Sequence, residues 1–358
     1  LAGELPGQLP EEEGPWSTKL KEIRFEDEQF GRGEIRGRIY WPTKPKNTEE
    51  TGQQPEGPFP LVGFMHGYMG QPKHYDFLAL HLASWGFIVA SIGTELDSSG
   101  NLHAEARDTQ ALLHWITAQG KKEKGWLSEK VRDGIWGASG HSMGGGACLE
   151  LIRIEPKVQV IAPLQPWIDP VWGGGRQLLK NLKKWKGRSW FVAGELDTTC
   201  TPEMVRLGFD AATSSIRNIW TEVSSMGHLG PLNHPPSHNN LKSEEKVRIH
   251  KRILGGFFRA ELCDEEDLYR DLLGFSIDSA SLKHETRCTQ PIVWWEDNSL
   301  AVASLPSQKI TVFGTTHKTN DQGVLKIKID MENTPRGPIR VSAGNFKSRV
   351  LHAPGEQP

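Results

Sequence analysis

The sequence predicts an α/β fold, with a mainly parallel central sheet covered on both faces by helices and a small β-rich unit behind it. Three observations carry this expectation. Short apolar runs alternate with helical stretches from about residue 60 to residue 273, the pattern of repeated strand-helix units. One run turns directly into a helix through a serine bracketed by glycines, Gly140-His141-Ser142-Met143-Gly144. Beyond residue 275 the helical periodicity stops, and short β-type runs separated by Asn, Asp, Gly and Pro take over.

Taken in order, residues 1 to 20 mix Pro, Gly and Glu without periodicity, and 43 to 59 repeat that composition, so both are expected as arm or loop. Between them EIRGRIYWP reads as an early strand, and PLVGFMHG gives a buried strand ending in glycine. A helix follows near HYDFLALHLASW, then strand GFIVASI, then helix AEARDTQALLHWITAQ, whose Ala111, Leu112, Trp115 and Ile116 fall at helical spacing. Strand DGIWGASG leads into helix GGGACLELIRI, and VQVIAPL, RSWFVAG and NIWTEV are further strands with helical stretches between them. Residues 241 to 273 read as closing helices. PIVWWED, LAVASL, KITVFGT, GVLKIKIDM and GPIRVSAG then supply the β-rich unit, too small to stand far from the first domain. The expected division is an arm over 1–20, the α/β domain over 21–274 and the β-rich unit over 275–358.

With 37% hydrophobic and 24% charged residues the chain can bury a core, and a formal net charge of -2 from 42 Lys+Arg against 44 Asp+Glu argues against nucleic acid as a partner chosen by bulk electrostatics. No run approaches the roughly 18 to 20 apolar residues that a membrane-spanning helix requires. Cys148, Cys200, Cys263 and Cys288 form no CxxC pair, so neither a zinc ribbon nor a thioredoxin-like motif is supported. Cys263 and Cys288 flank the boundary between the two parts and are equally readable as one disulfide or two free thiols. Leu1 in place of Met, without a signal-type segment, predicts a processed chain.

The chemistry is read from the serine outward. A turn this tight leaves no room for side chains two positions either side of Ser142, hence the glycines, and strand-before with helix-after is the context a nucleophilic serine requires. Its hydroxyl is a poor nucleophile without a base, and the base requires an acid to hold its tautomer. Downstream, Asp197 lies in Glu195-Leu196-Asp197 just past strand RSWFVAG, on the same rim as the serine, with Glu195 as the rival acid. His228 lies in Ser224-Ser225-Met226-Gly227-His228 past strand NIWTEV, completing the order Ser, Asp, His, with His234 and His238 as weaker candidates in a Pro/Asn-rich stretch. An oxyanion formed at Ser142 requires backbone donors; Met143 N–H, at the start of the following helix, and Tyr68 N–H, in the loop His66-Gly67-Tyr68-Met69-Gly70, are the expected pair. His66 reads as a structural hydrogen-bonder of that loop. Trp167, past strand VQVIAPL, stands on the same rim, where an apolar ring facing an ester is physically sensible, although most of the 13 Trp must serve packing.

The set MHGYMG, LASWGFIVASI, GHSMGGGA, APLQPW, GELDTTCTP and MGH-x-G, in this order and spacing over roughly residues 33 to 273, resembles the cutinase and poly(ethylene terephthalate) hydrolase branch of the α/β-hydrolase fold. Chlorophyllases and platelet-activating-factor acetylhydrolases are similar in the H-G loop and the serine elbow. The resemblance implies an α/β-hydrolase fold, a serine carboxylic-ester hydrolase with a triad of Ser142, Asp197 and His228, an oxyanion hole from Tyr68 and Met143, and an aromatic clamp of Tyr68 and Trp167. It implies no cofactor, an ester or polyester substrate, a monomer and, with the processed start, secretion. The chain departs from that branch in two places. The closing segment YRDLLGF lacks the cysteine of a family disulfide, and of two cation-binding carboxylates seen in some relatives only Glu195 is acidic, Ser224 standing at the other, so no required metal is expected. Two other outcomes remain open at this level: an esterase for small, lipid or chlorophyll esters, and a polymer-binding module in which Trp294 and Trp295 of PIVWWED dock a flat surface.

Overall fold

The computed structural model describes residues 9–46, 57–93, 100–171, 174–232, 243–273, 282–296, 299–329, 339–348 and 351. A nine-stranded sheet is its spine. In chain order the strands and helices are β1 (Trp16–Asp27), β2 (Gly33–Pro45), β3 (Leu61–Met65), α1 (Asp76–Ser84), β4 (Ile88–Ile92), α2 (Leu102–Gly120), β5 (Trp136–His141), α3 (Met143–Ile154), β6 (Val158–Leu164), α4 (Gly175–Lys184), β7 (Arg188–Gly194), α5 (Pro202–Ala211), β8 (Arg217–Val223), α6 (Ser243–Leu262), α7 (Tyr269–Leu273) and β9 (Leu282–Cys288). They pair in the order β1-β2-β4-β3-β5-β6-β7-β8-β9. The interior from β4 to β8 is parallel, while β1, β2 and β9 run antiparallel at the edges.

Side chains of one strand point alternately to opposite faces, and each face buries its own core. On β3, Leu61 and Met65 pack with α2, α3, α4 and α5, whereas Val62 and Phe64 pack with α1, α6 and α7; on β4, Ile88 and Ala90 go with the first set and Val89 with the second. A strand buried on both sides reads as a continuous apolar run, which is why LVGFM and IVASI were recognisable in the sequence. None of the described helices is long and apolar enough to cross a membrane.

Two stretches depart from the sequence reading. The expected arm over 1–20 enters the sheet at Trp16, whose ring meets Phe59 edge-on at 5.8 Å, and β1 pairs with β2 from Trp16↔Pro45 to Asp27↔Gly33. Its charge-rich sequence carries little apolar signal, since only Trp16, Ile23 and Phe25 pack, partly buried, on the core, Phe25 stacking on Trp115 at 5.0 Å, and the β2 backbone supplies the rest of its hold. Just before it, the Gly14 N–H donates to Ser84 Oγ at 2.9 Å and the Pro10 carbonyl accepts from His81 Nε2 at 2.8 Å, so the arm is tied down over α1. At the other end, β9 lies beyond the expected boundary at 274/275, a boundary that itself falls outside the described residues. β9 nevertheless completes the main sheet, pairing with β8 from Val223↔Leu282 to Arg217↔Cys288.

After β9 come β10 (Ile292–Glu296), β11 (Ser299–Ala303), β12 (Lys309–Val312), β13 (Thr315–Lys318), β14 (Val324–Lys328), β15 (Ser342–Ala343) and β16 (Phe346–Lys347). They form two small antiparallel sheets, β10-β11-β14 and β13-β12-β15-β16. Alternation along β10 gives Trp294 to the core shared with Tyr269 and Leu272, while Trp295 packs, partly buried, on the small core of Val293, Val302 and Ile310. The paired tryptophans therefore hold the β-rich unit to the main domain and to itself, and neither forms an exposed aromatic platform.

All four cysteines are free, Cys263 and Cys288 included. The end of the sheet is held by charge instead. Arg217, 2% exposed at its side chain, bonds Glu261 at 2.7 Å and Glu266 at 2.5 Å; Arg188 reaches the other Glu261 oxygen at 2.8 Å, and Tyr269 Oη–H donates to Glu261 at 2.5 Å. Burial alone would lower the Arg217 pKa, but the Glu261 charge, followed by Tyr269 and Glu266, outweighs it and the net direction is upward. Charges buried this deeply are tolerated because each has its partner.

Candidate active site

β5 ends at His141 and α3 begins at Met143, leaving Ser142 alone on the turn. Its φ of 56° and ψ of -118° are unusual for a residue with a side chain, a strain that a nucleophile-bearing turn stores to lift its hydroxyl clear of the sheet. The two bracketing glycines are required by contact: a Cβ on Gly140 would sit 2.5 Å from the Gly144 carbonyl, and one on Gly144 would meet the carbonyls of Met65 and His66.

The three residues expected to act together are brought together. His228 Nε2 lies 3.0 Å from Ser142 Oγ, and His228 Nδ1 lies 2.8 Å from Asp197 Oδ2. Asp197 is 3% exposed and accepts four bonds: from His228 and from Gln165 Nε2 (2.7 Å) on Oδ2, and from the N–H groups of Thr199 and Cys200, both 2.8 Å, on Oδ1. Two backbone amides fix one oxygen and two side chains the other, so the carboxylate cannot swing and the imidazole it holds presents Nε2 to the serine.

The rival acid Glu195 is elsewhere: its Oε2 accepts from Ser225 N–H at 2.8 Å, and Lys283 of β9 lies 3.8 Å from its other oxygen. It braces the loop that carries His228. His234 and His238 lie outside the described residues. His66 is fully buried and its Nδ1–H donates to the Gly67 carbonyl at 2.9 Å, a loop bond away from the reacting atoms. Met143 is the first residue of α3, where amide N–H groups have no intrahelical acceptor and the helix dipole favours negative charge. Tyr68 stands on the loop after β3, 52% exposed, and Trp167 follows β6, half-buried, its backbone N–H donating to the Ser142 carbonyl at 2.8 Å. Both line a cavity of about 850 Å³ that opens over Ser142 and His228 and is walled by Met69, Met143, Leu229 and Leu232.

Asp197, Cys200 and His228 place a ligand-type atom each within 4.8 Å of one another, a grouping with metal-site spacing. Their chemistry argues for a different use. Asp197 Oδ2 is already bonded to His228 Nδ1 and His228 Nε2 to Ser142 Oγ, and burial, followed by the Asp197 charge, pushes the Cys200 thiol up to about 12, so it is a protonated, poor ligand. Its Sγ packs 3.9 Å from Ser142 Oγ.

Sequence reasoning missed Gln165. It sits inside the APLQPW segment with a positive φ of 44°, fully buried, and donates to both Asp197 Oδ2 and the Gly227 carbonyl at 3.0 Å, tying the acid to the base loop. No periodicity marks such a residue, because its role depends on three loops meeting. Gln165→Leu keeps the volume but strips one donor from the buried Asp197 carboxylate and one from the Gly227 carbonyl, which keeps the Gly230 N–H at 3.0 Å, a loss of about 1–3 kcal/mol. Turnover measured as kcat on a short p-nitrophenyl ester is expected to fall about tenfold with KM little changed; an unaltered kcat would remove Gln165 from the site.

The PETase family, described as PET hydrolase-like, matches residues 7–178. The bis(hydroxyethyl) terephthalate hydrolase of Streptomyces coelicolor is 31% identical over 139 residues, 38% of this chain and 39% of that protein. Cutinase 2 of Thermobifida cellulosilytica is 26% identical over 223 residues, covering 61% of this chain and 73% of the relative, and cutinase cut1 of Thermobifida fusca is 26% identical over 223 residues, 61% and 60%. The matched stretch thus spans well under half of the Streptomyces protein and under two thirds of cut1.

Proposed function

We propose that the chain is an α/β-hydrolase of the cutinase and PET hydrolase type, to which it is similar over part of its length, and that it is a serine carboxylic-ester hydrolase acting on polyesters. The observation that carries this reading is the line Ser142 Oγ, His228 Nε2, His228 Nδ1, Asp197 Oδ2 at 3.0 and 2.8 Å on a strained turn at the floor of an open cavity. In this mechanism Ser142 Oγ attacks the ester carbonyl carbon as His228 Nε2 takes its proton. Asp197 holds the imidazolium that results, and the carbonyl oxygen, now negative, is met by the N–H groups of Tyr68 and Met143. His228 passes the proton to the leaving alkoxide, the acyl group stays on Ser142, and water deprotonated by His228 releases the acid. One chain supplies every group, and no cofactor or metal enters the cycle.

The polymer reading rests on the rim. Tyr68, Met69 and Leu229 are 52%, 62% and 40% exposed beside the cavity, an apolar border that a small soluble ester leaves wet and a polymer chain covers. Tyr68 and Trp167 then bracket the acyl or aromatic ring, with offset or edge-on ring contact. An insoluble polyester is met outside the cytoplasm, so this function goes with secretion. The test is product release from an amorphous aromatic polyester film beside turnover of bis(hydroxyethyl) terephthalate and a short p-nitrophenyl ester. Cleavage of all three is expected. Turnover of the soluble esters alone would keep the mechanism and replace the polymer by a small substrate.

A further inference from the structure

Three loops carry the site's working groups: the one after β3 with Tyr68, the turn after β5 with Ser142, and the one after β8 with His228. A single chain of hydrogen bonds runs through all three. The Gly67 N–H donates to Tyr75 Oη at 3.1 Å, Tyr75 Oη and His141 Nδ1 are 2.9 Å apart, and His141 Nε2 lies 2.8 Å from the His228 carbonyl. Its ends fix its sense. A carbonyl only accepts, so His141 Nε2 carries the proton; Nδ1 of that neutral ring then accepts, and the Tyr75 hydroxyl donates to it while accepting from Gly67. Tyr75 is 1% and His141 2% exposed, so no water substitutes for a missing member.

The geometry points to Tyr75 and His141 as positioning residues that hold the oxyanion loop and the base loop in register across the nucleophile's turn, an inference resting on the assignment of Ser142, Asp197 and His228 as catalytic. Gly67 shows how the register is transmitted. Its N–H is fixed by Tyr75, and its carbonyl accepts from Gly70 N–H at 2.7 Å and His66 Nδ1 at 2.9 Å. The Gly67 carbonyl and Tyr68 N–H belong to one peptide plane and point oppositely, so anchoring the carbonyl aims the amide that receives the oxyanion. The packing is tight here: a Cβ on Gly67 would stand 3.2 Å from His141 Nδ1, 3.3 Å from Tyr75 Oη and 3.4 Å from Ser142 Cβ, so a larger residue would push on the chain itself. The His141 and His228 rings are 4.8 Å apart between centroids. A neutral His141 leaves room for the charge that His228 acquires on taking the serine proton, and burial, followed by the His228 charge, holds His141 well below the usual histidine range.

Tyr75→Phe removes only the hydroxyl and keeps the ring that packs on Phe64 at 5.0 Å between centroids. On a short p-nitrophenyl ester the expected result is a fall in kcat of about tenfold or more, KM within about twofold and Tm within a few degrees. His141→Leu is expected to fall at least as far, and the double variant no further than His141→Leu, since both break one chain. His141→Gln, which can accept from Tyr75 and donate to the His228 carbonyl, is expected to recover most of the loss. Unchanged kcat in Tyr75→Phe, losses that simply add, or a defect confined to KM or Tm would overturn the proposal. Ser142→Ala is assayed alongside: if it is inactive while Tyr75→Phe is normal, the catalytic reading stands and the positioning proposal falls, and if it turns over normally, both fall.

Discussion

Ser142→Ala is expected to lower kcat on a p-nitrophenyl ester by about 10⁴-fold to 10⁶-fold, with Tm unchanged or slightly raised. With a methyl in place of the hydroxymethyl the turn has no atom to attack the carbonyl, and removing a buried hydroxyl while keeping the same backbone does not harm the fold. Asp197→Asn tests the same line from its other end. Asn offers an N–H where His228 Nδ1–H requires an acceptor, so the imidazole is turned to the wrong tautomer and kcat is expected to fall by about 10⁴-fold with the geometry retained. Combining the two should cost no more than Ser142→Ala alone, because one broken member disables the unit. Stopped-assay product counts with active-site titration, which exclude a trace of unaltered enzyme, check all three variants. Residual turnover near the parent level in Ser142→Ala would remove the serine mechanism altogether.

The second large effect is on stability in mild acid. His81 and His250 are buried and His284 is half-buried with its ring packed inward, and desolvation, for His81 and His284 followed by a nearby cation (Lys251 and Arg252), depresses their pKa values to about 3, about 4 and about 4. The neutral rings are built in: His81 Nε2–H donates to the Pro10 carbonyl, His250 Nδ1–H to the Lys246 carbonyl at 2.7 Å, and His284 Nδ1 accepts from Thr221, whose Oγ1 accepts from Trp190. The unfolded chain takes up protons near pH 6.5 that the native state refuses. Unfolding is therefore favoured as pH falls below about 6.5, and the loss accumulates until the native pKa values near 4 and 3 are reached. Each histidine contributes up to about 1.4 kcal/mol per pH unit in that window, so the three together reach roughly 4 kcal/mol per unit, against a total stability of about 5–15 kcal/mol. Stability should be flat above about pH 7, with Tm falling steeply from pH 6 and acid unfolding complete well above pH 3. Calorimetric Tm values from pH 8 to 4.5 read this directly; a Tm that stays level down to pH 4.5 would show that these histidines are protonated without cost.

Much of the candidate site was legible in the chain because each residue proposed as catalytic lies just past a strand whose apolar run is unmistakable. Ser142 follows WGASGH, Asp197 follows RSWFVAG and His228 follows NIWTEV; in a parallel sheet those strand ends share one rim. β1 and β9 were not legible: WSTKLKEIRFED and LKHETRC are edge strands, largely polar, recruited by a neighbour's open backbone groups. Trp294 and Trp295 could be read as a docking surface or as core, and only the placement of β10 between two cores decided for core.

The α/β architecture, the turn at Ser142 and the candidate order Ser142, Asp197, His228 were readable from local features of the chain. These follow from local rules: alternation sets strands, 3.6-residue spacing sets helices, and a turn without room for a Cβ demands glycine. Which groups hold those residues still became visible only in the packed fold. Gln165 meets Asp197 across 32 positions, Tyr75 meets His141 across 66, and His141 meets the His228 carbonyl across 87. A hydrogen bond between distant loops leaves no periodic trace in either segment, because its geometry is set by how the sheet brings the loops together and not by the residues next to it.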